Sequence, residues 1–224
     1  MDIEHLYEKL KYRFKDPSLI KQALIHSSYV NESKEKIKDN EVLEFLGDAV
    51  IELAIRHILI KRFPEASEGK LSKIKASIVS EKGLAKIAKN LGIDQLLVLG
   101  KGEEKMGGRR KDSILADAVE AVFGAIYLDA GLLEALKIAD NIFSESIEKA
   151  DPKRDYKSRL QEKTQKLFGI LPEYRVIEET GPPHKKRFKV GLFLNNKLIA
   201  EAEASSKKEA EKKVAKEGLR WLRK

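Results

Sequence analysis

The 224-residue chain predicts an all-α N-terminal domain over residues 1–150 and an α+β C-terminal domain, ordered α-β-β-β-α, over 155–224. Three features point to this division. Apolar spacing is helical as far as Ala150, then gives way to strand alternation such as Phe188, Val190, Leu192 and Leu194. Charge divides in the same place: residues 1–150 hold 24 Lys/Arg against 25 Asp/Glu, whereas 151–224 hold 20 against 11. Between them Asp151-Pro152-Lys153-Arg154 is short, polar and proline-containing, as a linker over 151–154 should be.

The composition narrows the function classes. With 42% hydrophobic residues the chain can bury a core, and with no cysteine it has neither a disulfide framework nor a thiolate metal site. No apolar run approaches the roughly 18 residues of a membrane span. Met1-Asp2-Ile3-Glu4-His5 lacks the charged-then-apolar layout of a signal peptide. The expectation is a soluble, cytoplasmic protein with no membrane partner. A near-neutral domain followed by a basic one suggests that chemistry is divided from polyanion capture.

In chain order, residues 4–13 and 17–30 read as two helices split by Asp16-Pro17, an N-cap followed by proline at the first helical position. His26 reads as a structural hydrogen-bonding residue, because no histidine cluster surrounds it. Residues 31–39 are a polar surface loop. From Val42 to Ile60 the chain is apolar nearly all round, which implies a buried helix that stops near Arg62-Phe63-Pro64. Glu41, Glu44 and Asp48 nevertheless lie in its first turns at i, i+3 and i+7, on one stripe. Leu71–Val79 and Glu81–Asn90 follow as amphipathic helices, with Leu91-Gly92 closing the second.

Leu99 to Arg110 is glycine- and charge-rich but lacks the Gly-Lys-Ser/Thr ending of a phosphate loop, so no nucleotide cofactor is expected. It reads as a flexible basic loop facing the substrate backbone. The helix from Ser113 to Leu128 repeats the earlier oddity, with Asp117 and Glu120 at i, i+3 among apolar neighbours, and a last amphipathic helix spans Leu132–Ala150. Unpaired carboxylates beside a core are costly unless a cation neutralises them. Two such helices read as halves of one cation site, and all-oxygen donors favour Mg²⁺ or Mn²⁺ over zinc. A solvated acidic face, or first-turn acids favoured by the helix dipole, is the competing reading for Glu41 and Glu68.

Beyond the linker, Asp155–Phe168 reads as a helix stopped by Gly169. Strands follow at Glu173–Glu179, Lys186–Leu194 and Lys197–Glu203, with Asn195-Asn196 as a two-residue hairpin turn. Ser206 caps a helix that runs to Leu222. Ser158, Gln161 and Gln165 share a stripe on the first helix, His184 lies in the loop between the first two strands, and Lys207 and Lys208 open the last helix, where dipole and ammonium both favour phosphate.

Glu41-x-Leu43-Glu44-Phe45-Leu46-Gly47-Asp48, with Asp117-x-x-Glu120, resembles the ribonuclease III signature and its second acidic pair. Gly181-Pro182-Pro183-His184-Lys185-Lys186-Arg187-Phe188 and Ser206-Lys207-Lys208-x-Ala210 resemble a double-stranded-RNA-binding domain. Together they cover nearly the whole chain. Val42 departs from the usual polar residue, Ala202-Glu203-Ala204 stands in place of Gly-x-Gly, and Glu211 replaces a frequent third lysine, with Lys212 as a substitute cation.

The resemblance implies an endonuclease domain that holds Mg²⁺, replaceable by Mn²⁺, through Glu44, Asp48, Asp117 and Glu120. Asp48 and Glu120 would be catalytic, and Glu41 and Glu68 supporting acids. Ser158, Gln161, Gln165, His184, Lys207, Lys208 and Lys212 would meet duplex RNA, which such domains span over about 16 base pairs. It further implies 5′-phosphate and 3′-hydroxyl ends, roles in rRNA and mRNA precursor processing and turnover, and a homodimer with Phe45 at the contact. Two other readings stay open: a regulator that binds RNA without cutting it, and an acidic site for another substrate with the RNA domain as a tether.

Overall fold

The computed structural model describes residues 3–34, 36–150, 155–182 and 185–222, in two compact units, Met1–Ala150 and Asp151–Lys224. Residues 151–154, expected to be the linker, and His184 lie outside the described residues.

The first unit is built of helices: α1 (Ile3–Leu10), α2 (Pro17–Ala23), α3 (Ser27–Glu32), α4 (Glu41–Arg62), α5 (Glu68–Ile78), α6 (Glu81–Leu91), α7 (Ile93–Leu96), α8 (Lys101–Lys105) and α9 (Asp112–Lys149). Asp16 caps α2, its carboxylate accepting from the Ser18 amide at 2.9 Å, and Pro17 is the first helical residue. The single helix expected over 17–30 is broken. Leu24 O accepts from Val98 N at 2.8 Å, His26 N donates to Val98 O at 3.1 Å, and Ile25 O accepts from Asn40 N at 2.9 Å. Helix geometry cannot supply those partners, so the backbone leaves the helix to reach them. His26 then caps α3, with Nδ1 accepting from the Ser28 amide at 3.2 Å.

The stretch read as a flexible basic loop contains α8 and a 3₁₀ turn at Gly108–Arg110. Arg109 donates to the carbonyls of Asp94 and Leu97 at 2.8 and 2.9 Å and pairs with Glu104 at 2.6 Å, while Lys111 pairs with Glu103 at 2.6 Å. Those two cations hold the segment together, so it is ordered by its own ion pairs and not a flexible loop.

Helices α4 and α9 form the centre of this unit. Ile51, Ile55 and Leu59 of α4 and Leu115, Val119, Val122, Phe123 and Ile126 of α9 are all at most 1% exposed. Gly131 interrupts α9 with φ 77° and ψ 179°, splitting it into an acid-bearing half and a second half that runs to Lys149. Just before this break, Asp129 accepts from the Tyr12 hydroxyl and from the amides of Lys15 and Asp16.

The second unit runs α10 (Tyr156–Phe168), β1 (Glu173–Thr180), β2 (Arg187–Leu194), β3 (Lys197–Ala204) and α11 (Lys207–Trp221), the α-β-β-β-α order of the sequence prediction. Its sheet is antiparallel in the order β1-β2-β3, with Val176 opposite Val190 and Val190 opposite Ala202. Asn195 and Asn196 adopt φ of 48° and 62°, as a two-residue hairpin requires. Val190, Leu192 and Ala204 bury one face of the sheet against Leu160 of α10 and Ala210, Val214 and Leu219 of α11. Among the described residues no helix is long and apolar enough to cross a membrane.

Candidate active site

The acids of α4 and α9 are drawn together by the closeness of the two helices. A Cβ placed on Gly47 would overlap the carbonyl oxygen of Glu120, and one on Gly124 would overlap that of Leu43. Only glycine at both positions lets the backbones touch. Glu44, one turn before Gly47, therefore faces Asp117 and Glu120.

Carboxylate oxygens of Glu44, Asp117 and Glu120 all lie within 4.8 Å of one another, each residue half-buried. No lysine or arginine pairs with any of the three among the described residues. The electrostatic result is that all three carboxyls titrate above their usual range. Burial, followed by the charges of Asp48, Asp117 and Glu44, pushes Glu120 up to about 7. Burial, then Asp117 and Glu41, raises Glu44. Burial also raises Asp117, with the nearby His26 ring opposing the shift and Glu81 adding to it.

Asp48 is exposed and stands outside the group of three, at its rim, where its charge acts on both Glu44 and Glu120. Glu41 is exposed and acts on Glu44 in the same manner. Glu68 opens α5, accepts from the Ser72 hydroxyl at 2.7 Å and lines a cavity of about 340 Å³ with Arg56, Leu59, Ile60, Leu71 and Lys75. It is not one of the gathered acids. Phe45 is 84% exposed, with Val42 exposed on the same helix. His26 and Glu81 are the site neighbours that sequence reading did not place, since each comes from an element distant in the chain.

In the second unit Ser158, Gln161 and Gln165 lie exposed along α10, opposite the buried Leu160 and Thr164. Lys207, Lys208 and Lys212 are exposed on α11, and none has a carboxylate partner among the described residues. Ser206 caps that helix through the Glu209 amide at 3.3 Å. Two cations of β2 differ: Arg187 pairs with Glu203 and Lys189 with Glu201, both at 2.6 Å. Lys207 and Lys208 thus put two ammonium groups without a carboxylate partner among the described residues at the start of α11.

Comparison with known proteins gives two family matches, Ribonuclease-III-like over residues 16–146 and Double-stranded RNA binding motif over 156–222. The chain is 45% identical over 223 residues to Ribonuclease 3 of Pseudothermotoga lettingae, covering 96% of this chain and 94% of that one. It is 47% identical over 223 residues to Ribonuclease 3 of Oleidesulfovibrio alaskensis, covering 98% and 97%. Among solved structures it resembles the nuclease domain of ribonuclease III from Campylobacter jejuni, with TM-score 0.58 and 44% identity over 67% of this chain and 97% of that one. A second structure of that nuclease domain, with the same TM-score and identity over 67% and 99%, concerns flexibility in a region involved in its dimer formation.

Proposed function

This chain belongs to the ribonuclease III family of double-strand-specific endoribonucleases, and on that premise we propose that it cuts duplex RNA with Mg²⁺ held by the carboxylates of α4 and α9. The observation that supports this reading best is the meeting of Glu44, Asp117 and Glu120 within 4.8 Å, with no lysine or arginine paired to them among the described residues. Their donors are all oxygen, the set that suits Mg²⁺ or, in its place, Mn²⁺. An ion held there would supply a water activated near neutral pH and a positive charge to offset the negative charge developing on the departing 3′-oxygen. Glu120 gives up its carboxyl proton when the site fills, because a neighbouring cation favours the charged form. Asp48 serves as a further ligand from the rim, and Glu41 and Glu68 are supporting acids.

Ser158, Gln161 and Gln165 meet the minor groove, and Lys207, Lys208 and Lys212 meet phosphates. The domain reads A-form shape and backbone instead of sequence. His184 completes the expected set. The products carry 5′-phosphate and 3′-hydroxyl ends, and the substrates are rRNA and mRNA precursors in the cytoplasm. The protein works as a homodimer in which each subunit cuts one strand. The exposed Phe45 and Val42 give α4 an apolar surface suited to a second copy.

Incubation of the full chain with end-labelled duplex RNA, with and without Mg²⁺, tests the proposal. Cutting of duplex only, and only with metal, is expected. Binding without cutting would favour the regulator reading, and cutting of single strands or DNA would favour the tether.

A further inference from the structure

One ion pair in the C-terminal unit joins the two helices that carry the proposed RNA contacts. Lys157 Nζ of α10 lies 2.8 Å from Glu211 Oε2 of α11. The same ammonium stands 4.6 Å over the ring of Tyr174 in β1. The Glu211 side chain is only 20% exposed, so its carboxylate is turned into the domain and away from the solvent face. The Tyr174 hydroxyl is buried without a hydrogen-bond partner among the described residues. Burial, with the Glu211 and Asp155 carboxylates adding, pushes its pKa to about 12, so the phenol stays neutral and offers its ring face to the ammonium.

The location of the pair gives it a role. Lys157 adjoins Ser158 and lies one turn before Gln161, while Glu211 lies one turn after Lys207 and Lys208. Toward the other end of α11, Gly218 packs on Leu160, where a Cβ would come within 3.0 Å of Leu160 Cδ2. Lys216 of α11 also stands 5.7 Å over the Tyr156 ring of α10, and Phe168 and Trp221 meet 6.5 Å apart at the far ends of the two helices. Several contacts thus set the relation of α10 to α11, and the Lys157–Glu211 ion pair stands beside the RNA contacts. Duplex recognition by shape needs the two patches at a fixed separation.

We propose that Glu211 is a positioning residue for duplex RNA: by clamping Lys157 over Tyr174 it holds the α10 stripe and the α11 lysines in register, and neither member of the pair touches a phosphate. This rests on the RNA-binding reading above. Simple electrostatics predicts the opposite sign, because removing an acid from a basic face should tighten binding to a polyanion.

The test is fluorescence anisotropy with the full chain and duplex RNA in EDTA, across a range of salt concentrations. The variants are Glu211→Gln, Lys157→Met, their combination, and the charge swap Lys157→Glu/Glu211→Lys. Each single change should weaken binding about three- to tenfold, and the combination should be no worse than the poorer single, as for contacting residues that share one interaction. The salt slope of Lys157→Met should match that of the unaltered chain, and the swap should restore affinity. A residue that only stabilises the domain would leave affinity unmoved at a temperature where circular dichroism shows the variant folded. Tighter binding by Glu211→Gln, additive losses, or a slope reduced by about 0.9 in Lys157→Met would overturn the clamp. If a single variant is unfolded, the swap decides, and a swap that fails to restore affinity overturns it. Failure of the unaltered chain to bind duplex RNA would instead overturn the RNA reading itself.

Discussion

Gly47 and Gly124 meet backbone to backbone, so that a Cβ on Gly47 would fall 2.8 Å from the Gly124 amide nitrogen and overlap the carbonyl oxygen of Glu120. Gly47→Ala should therefore force α4 from α9 at the level of the carboxylates. The expected result is destabilisation of about 1–3 kcal/mol in urea unfolding, typical of overpacking, with loss of duplex cleavage. Gly69→Ala is the control, because nothing lies within 4 Å of the added methyl and helical alanine is favoured. Equal behaviour of the two variants would show that the close approach does not matter.

Glu120 gives the metal-free protein a distinctive pH dependence. Its pKa is raised from 4.5 to about 7, so between those values the folded state keeps a proton that the unfolded chain has lost. Stability must then fall as pH rises through that window and level off above it. After allowance for partial solvent screening the fall is about 1–2 kcal/mol. Glu44 and Asp117 contribute in the same direction, so Glu120→Gln should reduce the fall without abolishing it. Urea unfolding in EDTA at pH 5 and pH 8 measures this; an undiminished fall in the variant would assign the effect elsewhere. The same variant should lose cleavage and keep duplex affinity.

Loading the site should release protons. At pH 6 much of Glu120 is protonated in the metal-free fold, and a divalent cation needs the carboxylate. Titration calorimetry with Mn²⁺ in two buffers of different ionisation enthalpy should give different apparent heats at pH 6 and nearly equal heats at pH 8.5. Identical heats at pH 6 would mean that the ion displaces no carboxyl proton, against the raised pKa of Glu120.

Lys207 and Lys208 are exposed and have no carboxylate to satisfy them among the described residues. Replacing both by alanine should weaken duplex binding and lower the slope of log affinity against log salt by about 0.9 for each phosphate that is no longer neutralised. An unchanged slope would place both lysines away from the backbone of the RNA.

Much of this architecture was legible from local pattern. Asp16-Pro17 announced α2, Asn195-Asn196 announced the β2–β3 hairpin, and alternation placed Val190, Leu192 and Leu194 on the buried face. Features set by distant partners were not legible. The break at Leu24–His26 exists because Val98 and Asn40 take its backbone groups, and no periodicity within 17–30 encodes that exchange. The order of the 99–110 segment depends on Arg109 reaching back to Asp94 and Leu97. At the candidate site, helical spacing places Glu41, Glu44 and Asp48 on one stripe, but the stripe straddles the edge of the core. Only Glu44 looks into α9, because where a helix turns inward is decided by the Gly47–Gly124 contact and not by its own repeat.

Gly131 poses an unusual stereochemical demand. Nothing lies within 4 Å of where its side chain would be, yet φ 77° with ψ 179° is a torsion that L-residues avoid. Handedness, and not room, reserves the position for glycine. Even alanine, whose single methyl has room here, should disturb the break in α9. D-alanine, installed by chemical ligation, should leave the course of the backbone intact, since its mirror-image preference matches the angle already there.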